Sequence, residues 1–253
     1  MGRGTWSWIV PDGLWEIAEP LIPPSRVRPQ GGGTQDTLEE TLFTAIIYVL
    51  VSGCAWRALP PCFGISKSTA HRRFLIWSRA GVWGRLHEGI LHRLDDAGLL
   101  DLSRPVLDSA HVEVHLIADR NGLPLSLGLS GANMHDSLGL EPHVRGIPPI
   151  RSRRGPRRRR PGKLHADKGY DYDHLRRWLR KRGIRHPIAR RGIESSQRLG
   201  RHRWIVERAV SWLAGCRRLH RRYERKAEHF LGFVGIATAL ICHRRLSKAA
   251  APQ

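Results

Sequence analysis

Apolar positions recur at helical spacing over the first hundred residues, change to short strand-like runs in the middle, and return to helical spacing towards the end. Leu38, Leu42, Ala45, Ile46, Val49 and Leu50 share one helix face. Thr37 and Glu40 are spaced as a capping box at its start, and Gly53 is placed to end it. A connector over 56–64 leads to Ser66, the expected N-cap of a second helix through about Arg79. After Gly81, the stripe Val82, Leu86, Ile90, Leu91, Leu94 predicts a third helix that Gly98 closes. From Arg104 the pattern is different. Pro105 to Val114 and Leu123 to Leu129 read as strands, the second preceded by the turn Arg120-Asn121-Gly122. Lys163 to Ala166 is a short strand running into Asp167, Tyr172 to Arg182 a basic helix, and Ile184 to Ala189 one more strand. Two closing stripes follow: Ile205, Ala209, Trp212, Leu213, Cys216, and then Phe230, Leu231, Val234, Ala237, Leu240, Ile241. This order predicts an α/β protein, with a small all-helical domain over 1–100 and an α/β domain over 101–253.

Charge narrows the class of partner. Among 253 residues, 43 Lys and Arg stand against 22 Asp and Glu, a formal net charge of +21. Such a chain repels itself unless it meets a polyanion, and nucleic acid is the usual one. The block 151–160, Arg-Ser-Arg-Arg-Gly-Pro-Arg-Arg-Arg-Arg, reads as a solvated, mobile loop. Its arginines Arg157, Arg158, Arg159 and Arg160 are candidate phosphate contacts, with a tether binding any polyanion weakly as the competing reading. The three predicted leader helices suit a helix-turn-helix, with Lys67, Arg72 and Arg73 on the reading helix; a merely solvated basic face is the alternative. No run of 18 apolar residues is present, and the first residues lack the pattern of a secretion signal, so neither a membrane span nor export is expected. Cys54, Cys62, Cys216 and Cys242 fit no zinc spacing and read as free, mostly buried thiols of a reducing cytoplasm.

Three acids stand out by context. Asp108 follows the apolar pair Val106-Leu107, Asp167 ends a short strand just before Gly169, and Glu207 lies inside a helical pattern. Carboxylates within apolar segments need a partner, and a divalent cation is one. Two strand-borne aspartates and a helix-borne glutamate can hold two Mg²⁺ ions about 4 Å apart for phosphodiester chemistry. A salt bridge is the competing reading for each; for Glu207 the partner would be Arg203 or Arg208.

Several ordered blocks resemble the DDE transposases of bacterial insertion sequences, in particular the insertion-sequence-five family, over about Trp15 to Leu246. Residues 48–60 (Tyr-Val-Leu-Val-Ser-Gly-Cys-Ala-Trp-Arg-Ala-Leu-Pro) look like that family's leader domain. Residues 107–112, 131–136, 166–171 and 203–208 look like its successive catalytic-domain blocks, and Trp212-Leu213 and Arg217-Arg218-Leu219 continue the last. The resemblance implies a ribonuclease-H-like mixed sheet with flanking helices, preceded by a helix-turn-helix-like domain. It implies Asp108, Asp167 and Glu207 as catalytic ligands of Mg²⁺ (Mn²⁺ as substitute), two ions in all. Arg203 would contact DNA phosphate or orient Glu207. The implied partners are double-stranded DNA, as terminal inverted repeats and target, and a second copy of the chain, in the cytoplasm at the bacterial nucleoid.

The chain departs from the family in one notable place. His111 to His115 runs straight into Leu116 to Asp119, where the family carries some twenty further residues. Two antiparallel strands are expected there, yet no Gly, Pro or Asn lies between Val112 and Ala118 to turn them. Either the hairpin is cramped, with a shortened first strand, or a strand is lost. Gly200 and Ala214 also stand where the wider superfamily often has Tyr and a basic residue. An active transposase is the first reading; a remnant that binds DNA without cutting it, and a hydrolytic nuclease, are the alternatives. His111 is not expected to be a ligand, because its odd offset from Asp108 points it to the other sheet face. Asp136, in His135-Asp136, is expected to cap the segment after it.

Overall fold

The computed structural model describes residues 8–24, 37–110, 114–129, 135–152, 155–158, 160–190, 192, 196–220 and 223–250. The chain divides into two compact units: Met1–Gly89 with Ala214–Arg244, and Ile90–Leu213 with Arg245–Gln253.

The first unit is helical. It contains α1 (Leu14–Ala18), α2 (Glu39–Ser52), α3 (Lys67–Arg79), the start of α4 (Val82–Asp96), and most of α8 (Ala227–Ala250). The expected boundaries recur where side-chain chemistry sets them. Ser66 Oγ accepts from Thr69 N at 3.1 Å and caps α3, and Gly53 (φ 73°) ends α2 in the left-handed conformation that glycine adopts freely. The capping box at Thr37 does not form: α2 begins at Glu39 with Leu38 at the N-cap and no side-chain cap, one residue too late for Thr37 to reach. The core is aromatic. Phe74 and Phe233 stack at 4.3 Å, and Trp56 packs on both. Helix α8 is long and apolar enough, by length and composition, to cross a membrane, in contrast to the sequence expectation. Its apolar residues Phe230, Phe233, Val234, Ala237 and Leu240 are instead buried against protein, as in a core helix, although Leu231 of the predicted stripe is 41% exposed. The four cysteines are free; Cys216 and Cys242 are buried as expected, whereas Cys62 is exposed because it lies in a short surface turn, Pro61–Phe63.

The second unit is built on a four-stranded mixed sheet, order β3-β2-β1-β6. Strand β1 (Val106–Ala110) pairs antiparallel with β2 (Val114–Ala118), and β2 with β3 (Pro124–Leu129). A second two-stranded ribbon is formed by β4 (Ile150–Ser152) and β5 (Gly155–Arg158). Strand β6 (His165–Ala166) lies parallel to β1. Between these run α5 (Leu140–Arg145), α6 (Asp173–Lys181) and α7 (Ser196–Ala214). Parallel bridges Lys163↔Arg185 and Ala166↔Ile188 extend the sheet by one more extended segment, a reduced form of the strand expected over Ile184 to Ala189.

Two sequence expectations change here. The expected single strand from Pro105 to Val114 is two: the hairpin is intact, with five paired positions from Val106↔Ala118 to Ala110↔Val114. This is the shortened-strand alternative; no strand is lost, and the joining residues 111–113, His111 among them, lie outside the described residues. The arginine block is not wholly loop, because its backbone pairs as β4–β5, held at one end by the fully buried Ile150. Backbone pairing needs no side-chain neutralisation, so like charge does not forbid it.

Behind the sheet, two imidazoles are stacked. His115 of β2 and His143 of α5 lie with ring centroids 5.0 Å apart, both buried. Burial, and then the neighbouring His115, push the His143 pKa down to about 4, so its ring stays neutral. Gly128, paired with His115 across β2–β3, makes room for them; a Cβ built there would run into the His143 ring. Gly128→Ala is therefore expected to destabilise the protein by about 3 kcal/mol, at the upper end of overpacking effects. A urea-midpoint measurement checks this, and His143→Ala in the same background should restore part of the loss. An unchanged midpoint for Gly128→Ala would mean the pair is not packed as described.

Candidate active site

The sheet brings two of the three predicted carboxylates to neighbouring strand ends. Parallel pairing of Leu107 with Ala166 puts Asp108 and Asp167 one step further along in the same register. Their Cα atoms are then about 5 Å apart, the usual strand separation. Asp108 is half-buried in mid-hairpin, opposite Leu116. Asp167 is exposed and keeps an extended backbone (φ −74°, ψ 177°) as the chain enters a single 3₁₀ turn, Lys168–Tyr170.

That turn fixes the carboxylate. Asp167 Oδ1 accepts from Gly169 N at 2.8 Å, and a Cβ at Gly169 would sit 2.9 Å from the same oxygen. Glycine is needed here for close approach rather than for a left-handed backbone. Gly169→Ala should therefore turn the Asp167 carboxylate away and lower any metal-dependent activity at least about tenfold, with little change in thermal stability, since one strained contact is worth about 1–3 kcal/mol. Parallel activity and melting measurements check this; full activity would show that the Gly169–Asp167 contact does not set the site. Below the turn, Tyr170 is buried, and its hydroxyl lies 3.2 Å from His115 Nδ1. Arg176 of α6 holds Asp171 with two donors at 2.7–2.8 Å and also donates to Ile188 O at 2.9 Å. The block 166–171 is thus clamped from the sheet side and from α6.

Glu207 stands exposed on α7. This helix meets the β2–β3 turn: a Cβ at Gly122 would lie 3.2 Å from Ile205 O and 3.3 Å from Arg208 Cδ, and Arg208 donates to Asn121 O at 3.4 Å. That turn closes the end of the sheet where β1 begins, whereas Asp108 lies two residues along β1. Consistent with this offset, among the described residues no three His, Cys, Asp or Glu side chains converge to hold a metal ion. The turn itself is tied by Asp119, whose buried carboxylate accepts from Asp101 N, Asn121 N and Leu123 N at 2.8–2.9 Å. Burial still pushes the Asp119 pKa up to about 6.

The predicted DNA-contact residues are spread over both units. On α3, Lys67 and Arg72 are exposed and Arg73 half-buried. Arg160 is exposed and donates to Arg182 O at 3.2 Å. Arg157 and Arg158 lie on β5, while Arg159 and the side chain of Arg203 lie outside the described residues. His135, not Asp136, caps the segment after it: its Nδ1 accepts from Ser137 N at 3.2 Å, because the short 3₁₀ turn starts at Asp136 and leaves His135 in the N-cap position. His135 Nε2 also lies 3.2 Å from Tyr172 OH. Sequence reasoning left Arg218 open between DNA and a partner subunit, yet it is 3% exposed. It forks onto Glu224 Oε1 at 2.6 and 3.0 Å and donates to Cys54 O at 2.6 Å.

A mixed sheet with paired aspartates at adjacent strand ends, flanked by helices and set in a basic chain, defines a nucleic-acid phosphoryl-transfer enzyme of ribonuclease-H-like fold. Comparison with known families carries the identification further. Residues 110–242, more than half the chain, match the family described as "Transposase DDE domain", and residues 10–87 match "Putative transposase of IS4/5 family". The chain belongs to the DDE transposases of the IS4/5 group of insertion sequences. It is 42% identical over 181 residues to the "Putative transposase for insertion sequence element IS402" of Burkholderia cepacia, covering 72% of this chain and 79% of that protein. It is also 39% identical over 106 residues to the "Insertion element IS402 uncharacterized 16.2 kDa protein" of the same organism, covering 41% of this chain and 72% of that protein. The catalytic-domain match begins at Ala110 and so includes Asp167 and Glu207 but stops short of Asp108.

Proposed function

We propose that this transposase binds the inverted repeats at the ends of its element, cuts the DNA by hydrolysis, and joins the freed 3′-hydroxyl to target DNA. The observation that carries the reading is the shared register of Asp108 and Asp167 on β1 and β6. Their hard oxygen donors suit Mg²⁺ or Mn²⁺. Asp108 and Asp167 would hold the metal together, probing toward the strand ends, and Glu207 on α7 would complete a site for two ions. Bound there, the ions would activate the attacking oxygen and stabilise the leaving one. In the first step a water oxygen bonds to phosphorus as the bond to the 3′-oxygen breaks, and the water proton passes to solvent. In the second, that 3′-hydroxyl attacks a target phosphorus and displaces another 3′-oxygen. One P–O bond forms for each that breaks, so no energy-rich co-substrate is required.

The helical leader, residues 1–100, would grip the repeat through Lys67, Arg72 and Arg73. The catalytic domain, residues 101–253, would add phosphate contacts from Arg157, Arg158, Arg159, Arg160 and Arg203. Two copies would pair the two DNA ends in the bacterial cytoplasm. The test is a strand-nicking and joining assay on a labelled duplex carrying the repeats that flank the gene, with Mg²⁺ or Mn²⁺. Metal-dependent nicks followed by joined products support the reading. Nicks without joining indicate a hydrolytic nuclease. Salt-sensitive binding without nicks indicates a DNA-binding remnant, the reading motivated by the short link between β1 and β2.

A further inference from the structure

Helix α7 carries, beside Glu207, an aromatic ladder that the triad does not use. The Arg208 guanidinium lies 4.3 Å from the Trp204 ring and 5.9 Å from the Trp212 ring, so a cation sits between two indoles spaced at i−4 and i+4. Arg208 is held in place by its bond to Asn121 O and its contact with Gly122. Trp204 is nonetheless 45% exposed, an unusual position for the largest apolar side chain when Trp77 and Trp83 are buried.

We infer that Trp204 and Arg208 form a stacking site for an unpaired nucleotide of the DNA being processed. One indole face is covered by Arg208, which leaves the exposed ring surface for a base, and the guanidinium supplies positive charge for the adjoining phosphate. Charge complementarity selects this occupant: in a chain of net charge +21 a second copy would bring its own positive field, whereas a nucleic-acid strand neutralises it. Position supports it as well. Residues three apart on a helix are neighbours, so a base on Trp204 lies beside Glu207. A strand opened at this point has its backbone freed from the duplex next to the carboxylate that the proposed reaction employs.

The inference rests on the proposed DNA chemistry but is tested by binding alone, without cleavage. The probes are a duplex of the gene's flanking sequence, fully paired, and the same duplex with one bulged thymine, both in EDTA. The wild-type protein is expected to bind the bulged duplex about tenfold more tightly, the scale of one stacked base. Trp204→Ala should bind both duplexes equally and as tightly as wild type binds the paired one, and Trp204→Phe should keep most of the preference. Absence of a preference in the wild type, or its survival in Trp204→Ala, would overturn the inference; so would a Trp204→Ala variant that changed only its oligomeric state, which would place Trp204 against a second copy. A preference that holds in a protein that cannot nick would leave this site standing and sink the catalytic reading instead.

Discussion

Asp167→Ala should leave metal-dependent nicking at background, a loss of about a thousandfold or more, the scale seen when one charge-stabilising group is removed from an active site. Salt-sensitive binding of the same duplex should persist. The two outcomes separate because of where Asp167 lies. It is exposed, one residue beyond the last pair of β6, and its hydrogen bond to Gly169 N caps a single surface turn. Loss of such a cap costs about 1 kcal/mol, too little to unfold the domain. The paired strands, buried Tyr170 and the Arg176–Asp171 clamp all remain. If Asp167→Ala nicks like the wild type, the register of Asp108 and Asp167 is structural, and the catalytic carboxylates lie elsewhere. Glu207→Gln provides the companion measurement. Because α7 meets the sheet at the end where β1 begins, comparable loss in that variant would mean that Glu207 reaches the aspartates in the DNA-bound enzyme.

Arg218→Ala is expected to cost about 3–5 kcal/mol of stability and to lower the melting temperature by roughly 10 °C. Arg218 is as buried as the apolar core around it, and all its neighbours lie in the helical unit: Glu224, the Cys54 carbonyl, and the faces of Tyr223 and Phe233 at 4.5 and 5.5 Å. Removing it strands the Glu224 carboxylate, 8% exposed, whose Oε2 already has no hydrogen-bond partner. The paired change Arg218→Met with Glu224→Leu removes both charges together and should recover most of the stability, since apolar replacements of a buried ion pair are often neutral. A drop below about 1 kcal/mol for Arg218→Ala would indicate that water reaches the pair.

The site was partly legible in the sequence for specific reasons. Asp167 could be located because a short apolar run ends there and Gly169 follows, and both features have direct local meaning: a strand end and a close backbone approach. Ser66 and Gly53 could be located because caps act within four residues. His135 was passed over in favour of Asp136 because the two differ by one position, and a turn's start is set by packing. Arg218 and Arg208 were indistinguishable as letters. Burial beside Glu224 makes one a core ion-pair member, and two tryptophans four residues to either side make the other part of an exposed ladder. The tryptophan spacing was visible beforehand, but their exposure was not.

The sequence alone determined the alternation of helical and strand-like segments, the caps, the basic character and the ordered blocks that mark the transposase family, because each depends on local propensity, periodicity or total charge. The tertiary structure decided what depends on contacts between distant segments. It set Asp108 beside Asp167 by the parallel register of β1 and β6 and kept the β1–β2 hairpin paired despite its short link. It also packed the residues from Ala214 to Arg244 with the N-terminal helices. No local rule fixes such pairings. Register and packing follow from burying apolar faces across many residues at once, and a shift of a single residue would turn every side chain of a strand to its other face.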